Sequence, residues 1–500
     1  MEPLESACAL GSAMPIFEAY GHPQDISGAH DEMFDCRWQP RPGYQALVER
    51  LAQMSASSLA GLRAEAAQML LQMGVTFNVY NEQEGAERIF PFDVIPRIIE
   101  AATWRHLEAG LIQRVKALNA FLSDIYGEGH ILKDGVVPRD LVMESSQYRR
   151  GAVGIKPTAD VFCAVSGIDL VRDAQGRFCV LEDNLRTPSG VSYVIENRLV
   201  MTRLLPHLMR TCRVRGVESY PADLLATLRE LAPGNSSTPT LALLTPGPFN
   251  SAFFEHVFLS QQMGIELVEG SDLVCADHKL WMKTVHGLKQ IDVLYRRIDD
   301  DYLDPVVFRP DSMLGVAGLT AAIRAGAVTV VNAIGTGVAD DKAIFAYTPH
   351  MIYYYLGEQP LLPIVETYLL RETDVRQRVL RDLDRYVIKP TGASGGYGVV
   401  IGPRASEEEL RAARARIEAN PAGYVAQPMV ALSVHPTLVE GEDGLPILAA
   451  RHVDLRPFVL LGACPRLLAG GLTRVALRPG SLVVNSSQGG GSKDTWVLGE

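Results

Sequence analysis

The chain has 500 residues, 47% of them hydrophobic and 21% charged, with a formal net charge of −11. That length exceeds what one core serves and predicts two or three domains, while an acidic balance excludes the clustered Lys and Arg that nucleic acid or an anionic membrane surface recruits. Seven scattered cysteines without a CxxC pair indicate neither a disulfide framework nor a zinc site, and no apolar run of membrane-spanning length or signal-peptide pattern is present, so a cytoplasmic protein is expected.

Residues 1–41 carry Gly, Pro and His without periodicity and read as an extended arm lying on the surface. Residues 42–150 form a helical region: Leu47, Leu51, Met54 and Leu59, then Ala66, Leu70 and Met73, recur near helical spacing. A further amphipathic run from Pro96 to Ile125 is ended by Tyr126-Gly-Glu-Gly129. Over 151–235 the period changes. Residues 160–171 and 177–182 read as an antiparallel strand pair around the turn Asp173-Ala-Gln-Gly176. Residues 236–335 open on the linker Ser236-Ser-Thr-Pro239 and alternate strands with helices, which predicts a small parallel, Rossmann-like sheet. Residues 336–500 carry a helix near 340–356, a hairpin at 386–401, a helix at 406–419 and strands at 423–430, 447–460 and 467–477. No internal repeat is present.

Two constellations carry chemistry. The first is Lys389-Pro-Thr-Gly-Ala-Ser-Gly-Gly-Tyr-Gly398, a glycine-rich turn between two β-branched strand segments with a lysine at its entrance. Gly392, Gly395, Gly396 and Gly398 let the backbone approach an anion, with Ser394 and Tyr397 among them, and Lys389 adds a fixed charge. The lysine precedes the glycines and a strand follows, so this is not a P-loop. A hairpin over phosphates and a plain flexible turn are the two readings. The second constellation is Asp169 with Glu182-Asp-Asn184. A hairpin of this length sets Asp169 beside Glu182, and alternation puts Glu182 and Asn184 on one face with Asp183 on the other. Such hard oxygens suit magnesium bridged to phosphates, and polar strand residues beside a turn are the alternative.

These motifs together resemble the ATP-grasp ligases. Arg186-Thr-Pro-Ser-Gly190 follows the acid/amide motif, Asp340-Asp-Lys342 is similar to the first ATP-contacting lysine of that family, and Val387-Ile-Lys389-Pro390 is similar to the second. Val425-Ala-Gln-Pro-Met429, with Gln427 and Met429, resembles the strand whose backbone meets adenine. The metal motif precedes the lid by some 200 residues here, an order that resembles the circularly permuted ATP-grasp proteins (type 2), related to the synthetase half of glutathionylspermidine synthase. The resemblance extends from about residue 41 to the C-terminus. It implies an α/β permuted ATP-grasp fold with a Rossmann-like subdomain and an N-terminal helical region.

The chemistry implied is ATP-driven phosphorylation of a small-molecule or peptide carboxylate, followed by attack of an amine to form an amide. Lys342 and Lys389 would hold the α and β phosphates, and two magnesium ions would sit on Asp169, Glu182 and Asn184. Arginines are needed to steady the transferring phosphoryl group and to clamp a carboxylate, because the guanidinium fork binds such anions bidentately. Arg456, in His452-Val-Asp-Leu-Arg456, and Arg186 are the candidates at the phosphoryl group. Arg296 and Arg297, at the end of a parallel strand, are candidates for substrate, with pairing of one of them to the Asp299-Asp-Asp301 run as the alternative, and Lys493, in the last glycine-rich segment, is a candidate for phosphate or substrate, with a mobile tail as the alternative. An ATP-grasp kinase that does not ligate, and a catalytically silent nucleotide-binding scaffold with protein partners in a biosynthetic complex, are the other function classes.

Overall fold

The structure is a computed structural model that describes residues 15–17, 20, 28–78, 87–234, 238–393, 396–441, 444–478, 480–481, 484 and 490–500. Its largest sheet has seven strands, and runs in the order Phe92–Ile99, Gly491–Val497, Arg466–Val475, Pro446–Leu460, Val165–Arg172, Phe178–Asn184. The seventh strand, Val434–Glu440, pairs with the first half of the 15-residue Pro446–Leu460 strand. The second half of that strand lies between Val165–Arg172 and Arg466–Val475.

The sheet corrects the reading of residues 96–125 as one helix. Val94, Ile95, Ile98 and Ile99 belong to a strand that pairs in parallel with Gly491–Val497, and the helix spans Ala101–Tyr126. β-Branched residues that are buried on both faces favour the extended chain. The helix then buries Trp104, Leu107, Leu111, Val115, Leu118 and Phe121, its expected apolar stripe. The arm corrects a second reading: Glu32, Met33 and Phe34 are buried rather than laid on the surface. Phe34 packs edge-on to Phe17 and beside Trp38, and the arm's backbone bonds to Val434 through Glu32 N–H to Val434 O at 3.0 Å and Val434 N–H to His30 O at 2.9 Å.

A second sheet is parallel, in the order Thr329–Val331, Val293–Arg296, Leu241–Leu244, Glu266–Val268, with the helix Phe253–Met263 in one crossover. A third is antiparallel, in the order Tyr368–Leu369, Tyr424–Pro428, Tyr386–Pro390, Val400–Ile401. It has its own small core, in which Val379, Leu380 and Leu383 meet Ile388, Ala413 and Ile417. The helix Glu407–Ala419 beneath it starts at a capping box, Ser406 with Glu409.

One buried ion pair joins the long helix to the largest sheet: Arg114 donates two bonds to Asp183, at 2.7 and 2.6 Å. Removing one partner of such a pair leaves the other charge buried without compensation. Asp183→Ala is therefore expected to lower unfolding free energy by about 3–5 kcal/mol, measured by denaturant unfolding, and Arg114→Met with Asp183→Leu is expected to recover most of it.

Candidate functional site

The third sheet closes over the end of the largest one, leaving a cavity of about 230 Å³ between them. One half is apolar, lined by Leu181, Val365, Val387, Ile401, Met429 and Leu432. The other half is charged: Asp169, Glu182, Lys342, Lys389, Asp454 and Arg474. A smaller pocket shares Glu182, Lys342 and Ala393 and continues to Gln147, Asn184, Arg186 and Asp340.

Strand register builds the acidic side. Asp169 stands opposite Glu182 across the Val165–Arg172 and Phe178–Asn184 hairpin. Alternation turns Asp183 to the face where Arg114 takes it, and leaves Glu182 and Asn184 lining the pockets. The Asn184 side-chain nitrogen is buried with no hydrogen-bond partner among the described residues. Asn332 ties this hairpin to the parallel sheet: its amide nitrogen donates to Val165 O and Leu185 O, and its oxygen accepts from Val165 N–H.

The lysines come from two elements. Asp341 caps the Lys342–Phe345 turn by accepting from Ala343 N–H, and Lys342 N–H bonds to Thr391 O at 3.1 Å. Lys342 Nζ then donates to Ala393 O at 2.6 Å and lies 3.7 Å from Glu182. The Lys389 side chain, on the Tyr386–Pro390 strand, makes no hydrogen bond or ion pair with any described residue. Burial lowers its pKa to about 8, although the Glu182 charge partly opposes that. A cation facing a cavity without a partner among the described residues suits an anionic ligand.

In the lid, Gly396 and Tyr397 line the main cavity and Gly392 the smaller pocket. A Cβ at Gly392 would come within 2.7 Å of Ser146 Oγ, so a side chain here would have to displace that hydroxyl. Gly398 has φ +74°, and a Cβ there would meet Pro390 at 3.0 Å. Ser394 and Gly395 lie outside the described residues. Gln427 is buried and bonds through its side chain to Thr367 at 2.9 Å, while Met429 forms part of the apolar wall.

The arginines depart most from expectation. Arg456 grips Asp169 with two bonds, Nε to Oδ1 at 2.5 Å and Nη2 to Oδ2 at 2.8 Å. Arg474, which the sequence reading missed, adds a third bond to Asp169 Oδ2 at 2.8 Å and pairs with Asp454. Its only signal was a charge inside the apolar run Gly471-Leu-Thr-Arg-Val475. The two guanidiniums outweigh burial and hold the Asp169 carboxyl well below the usual range. Asp169, a metal-ligand candidate in the sequence, thus has both its oxygens engaged by guanidiniums. Glu182 and Asn184 remain, and magnesium commonly takes one or two protein oxygens plus phosphates and waters. The donor set fits such an ion.

Arg186 lies 3.2 Å from Asp299 and 3.7 Å from Asp340, and its Nε is buried without a hydrogen-bond partner among the described residues. Asp340 accepts from Leu185 N–H at 2.6 Å, and burial raises its pKa to about 7. Three further candidates are structural. Arg296 is fully buried, donates to Asn332 O, Ala333 O and Ile298 O, and pairs with Asp300. Arg297 is spent on Glu255, Pro188 O and the Tyr295 hydroxyl. Glu255 in turn accepts from Gly190 N–H and Ser192 N–H, so this pair fixes the turn after the acid/amide motif. Lys493 sits in the core of the largest sheet, paired with Asp93 and bonded to Ile95 O and Pro436 O. All three are corrected as substrate candidates, since their charges are neutralised inside the fold.

Comparison with known proteins agrees with this geometry. Residues 96–476 match the family described as circularly permuted ATP-grasp type 2. An uncharacterized Synechocystis protein is 54% identical over 475 residues, covering 95% of this chain and 98% of its own length. A Frankia casuarinae protein named "Putative glutamate--cysteine ligase 2-2" is 42% identical over 507 residues, covering 99% of this chain but 57% of that longer protein. Among solved structures, the apoform of a glutathione synthetase-like effector (GSS30) from Globodera pallida superposes with a TM-score of 0.57 at 11% identity, over 89% of this chain and 98% of the effector, a likeness of fold. ATP-grasp proteins generally use ATP and Mg2+. With its acid/amide strand pair ahead of the lid in the chain and two sheets closed over one cavity, this chain belongs to the circularly permuted ATP-grasp type 2 family.

Proposed function

We propose that the protein is an ATP- and Mg2+-dependent carboxylate–amine ligase that works through an acyl phosphate on a small-molecule or peptide carboxylate. The observation that carries this reading is Lys389, a cation whose side chain has no partner among the described residues, in a cavity that is also lined by Lys342, Glu182 and Arg474, with Arg456 on the other side of Asp169. The ligase name on the longer Frankia relative supports the same reaction class.

In this reading the apolar half receives the base, and Lys342 and Lys389 hold the α and β phosphates. Glu182 and Asn184 supply oxygens to magnesium, which neutralises charge on the β and γ phosphates. Arg456 and Arg474, fixed by Asp169, face the transferring phosphoryl group, where preorganised positive groups act most strongly. Arg186, whose Nε has no hydrogen-bond partner among the described residues, meets the substrate carboxylate in the adjoining pocket. The lid excludes water, so that an amine rather than water takes the acyl group. No protein nucleophile is needed, and positioning with electrostatics carries the reaction.

Hydroxylamine intercepts acyl phosphates. Purified protein with Mg-ATP and pooled carboxylates is expected to give hydroxamate and ADP in equal amounts; phosphate release with neither hydroxamate nor amide would exclude ligation, and a stable phosphorylated product would mark a kinase. Glu182→Ala is expected to bind ATP in EDTA as tightly as the native protein and to lose at least about 100-fold in turnover. Lys389 predicts a pH dependence. Its pKa is low in the empty site, and an anionic ligand favours the protonated form, so binding takes up a proton above about pH 8. ATP affinity is expected to be level below that pH and to weaken above it, by up to about tenfold per unit. Calorimetry near pH 9 in buffers of different ionisation enthalpy should register the uptake, and Lys389→Met should abolish it.

A further inference from the structure

The N-terminal arm, which lies ahead of the matched family segment at 96–476, sends one carboxylate into the interior. Glu32 is 1% exposed. It accepts from Arg97 Nε at 2.8 Å and Nη2 at 2.5 Å, from Ser433 Oγ at 2.5 Å, and pairs with Arg172 at 3.3 Å. Arg97 and Arg172 both lie over the ring of Phe178, at 5.6 and 4.4 Å from its centre. With its remaining terminal nitrogen, Arg97 donates to the backbone oxygen of Asp454 at 2.8 Å.

That carbonyl belongs to the residue whose side chain holds Arg474, two positions from Arg456 on the same strand. Hydrogen bonds therefore run without a break from Glu32 through Arg97 to Asp454, on to Arg474, across to Asp169 and back to Arg456. We infer that Glu32 is a positioning residue for the arginine pair: it neutralises and orients Arg97, and Arg97 sets the main chain from which Arg474 is held and Arg456 projects. The inference rests on the proposed role of those arginines at the transferring phosphoryl group. A displacement of the strand at Asp454 moves both guanidiniums together, and misplacement by about 1 Å costs on the order of 100-fold where positioning carries the reaction. The lysines that hold ADP stand on other elements, as does the apolar wall apart from Leu432, the neighbour of Ser433.

The test compares the full-length protein bound to Mg-ADP alone and to Mg-ADP with aluminium fluoride, which mimics the transferring phosphoryl group. Glu32→Gln keeps the shape and removes the charge. It is expected to bind ADP within about twofold of the native protein, yet to retain ADP with aluminium fluoride about 10–100-fold less well. Glu32→Gln with Arg97→Gln restores neutrality and is expected to fold and to show the same selective loss, since a neutral replacement of a buried pair is commonly tolerated. Ser433→Ala removes one bond to Glu32 and no charge, and is expected to lose about two- to fivefold; it decides on the same terms if neither charge variant folds. Native-like trapping in these folded variants overturns the inference alone. An equal fall in ADP binding and in trapping assigns Glu32 to stability only and also overturns it. Native protein that does not trap ADP overturns the reading of the site, and the inference falls with it.

Discussion

Asp169 is a carboxylate buried at the meeting point of three strands, gripped by Arg456 from one and Arg474 from another. Without it, two guanidiniums would face each other in a region of low polarity, where like charges repel strongly. With it, and with Asp454 on the far side of Arg474, the sheet carries two cations in a fixed geometry, of which Arg474 lines the cavity. Burying such a network is costly and adds little net stability, so its value lies in where it holds the charges. Both Asp169 oxygens are engaged in that grip, and the oxygens of Glu182 and Asn184 line the pockets one strand further along, beside the lysines.

The parallel sheet acts on the site from behind. Asn332 bonds to the backbone on both sides of the acid/amide hairpin, and Glu255 with Arg297 pins the turn at 188–192. Arg296 and Asp300 lock the segment that carries Asn332 and Gly335. Each of these polar groups is buried and bonds to the main chain or to an opposite charge. They function as fasteners. The same sheet end that binds ligands in open α/β proteins is occupied here by the permuted chain itself.

Legibility followed sequence distance. Asp169 opposite Glu182 was readable because a hairpin is a local structure whose register follows from its turn, and alternation then assigned Asp183 to the other face. The glycine-rich lid and its lysine were readable from chemistry that needs no partner. Strand Phe92–Ile99 was not, because its β-branched run includes Pro96 and merges into a helical pattern, and its partner lies about 400 residues away at Gly491–Val497. Lys493 was misread for the same reason: a glycine-rich C-terminal segment resembles a tail until a strand from the other end of the chain covers it.

The amino-acid sequence by itself determined the local elements, the acid/amide motif, the lid and the permuted order that relates them, since all of these depend on neighbours within a few dozen residues. Tertiary structure alone decided which charges remain available. Arg296, Arg297 and Lys493 look like Arg456 and Arg186 in a sequence, and each differs only in what a distant segment brings against it. The free energy of a charge is set by its surroundings, by burial and by the nearest opposite charge, and those surroundings are assembled only when the chain is folded.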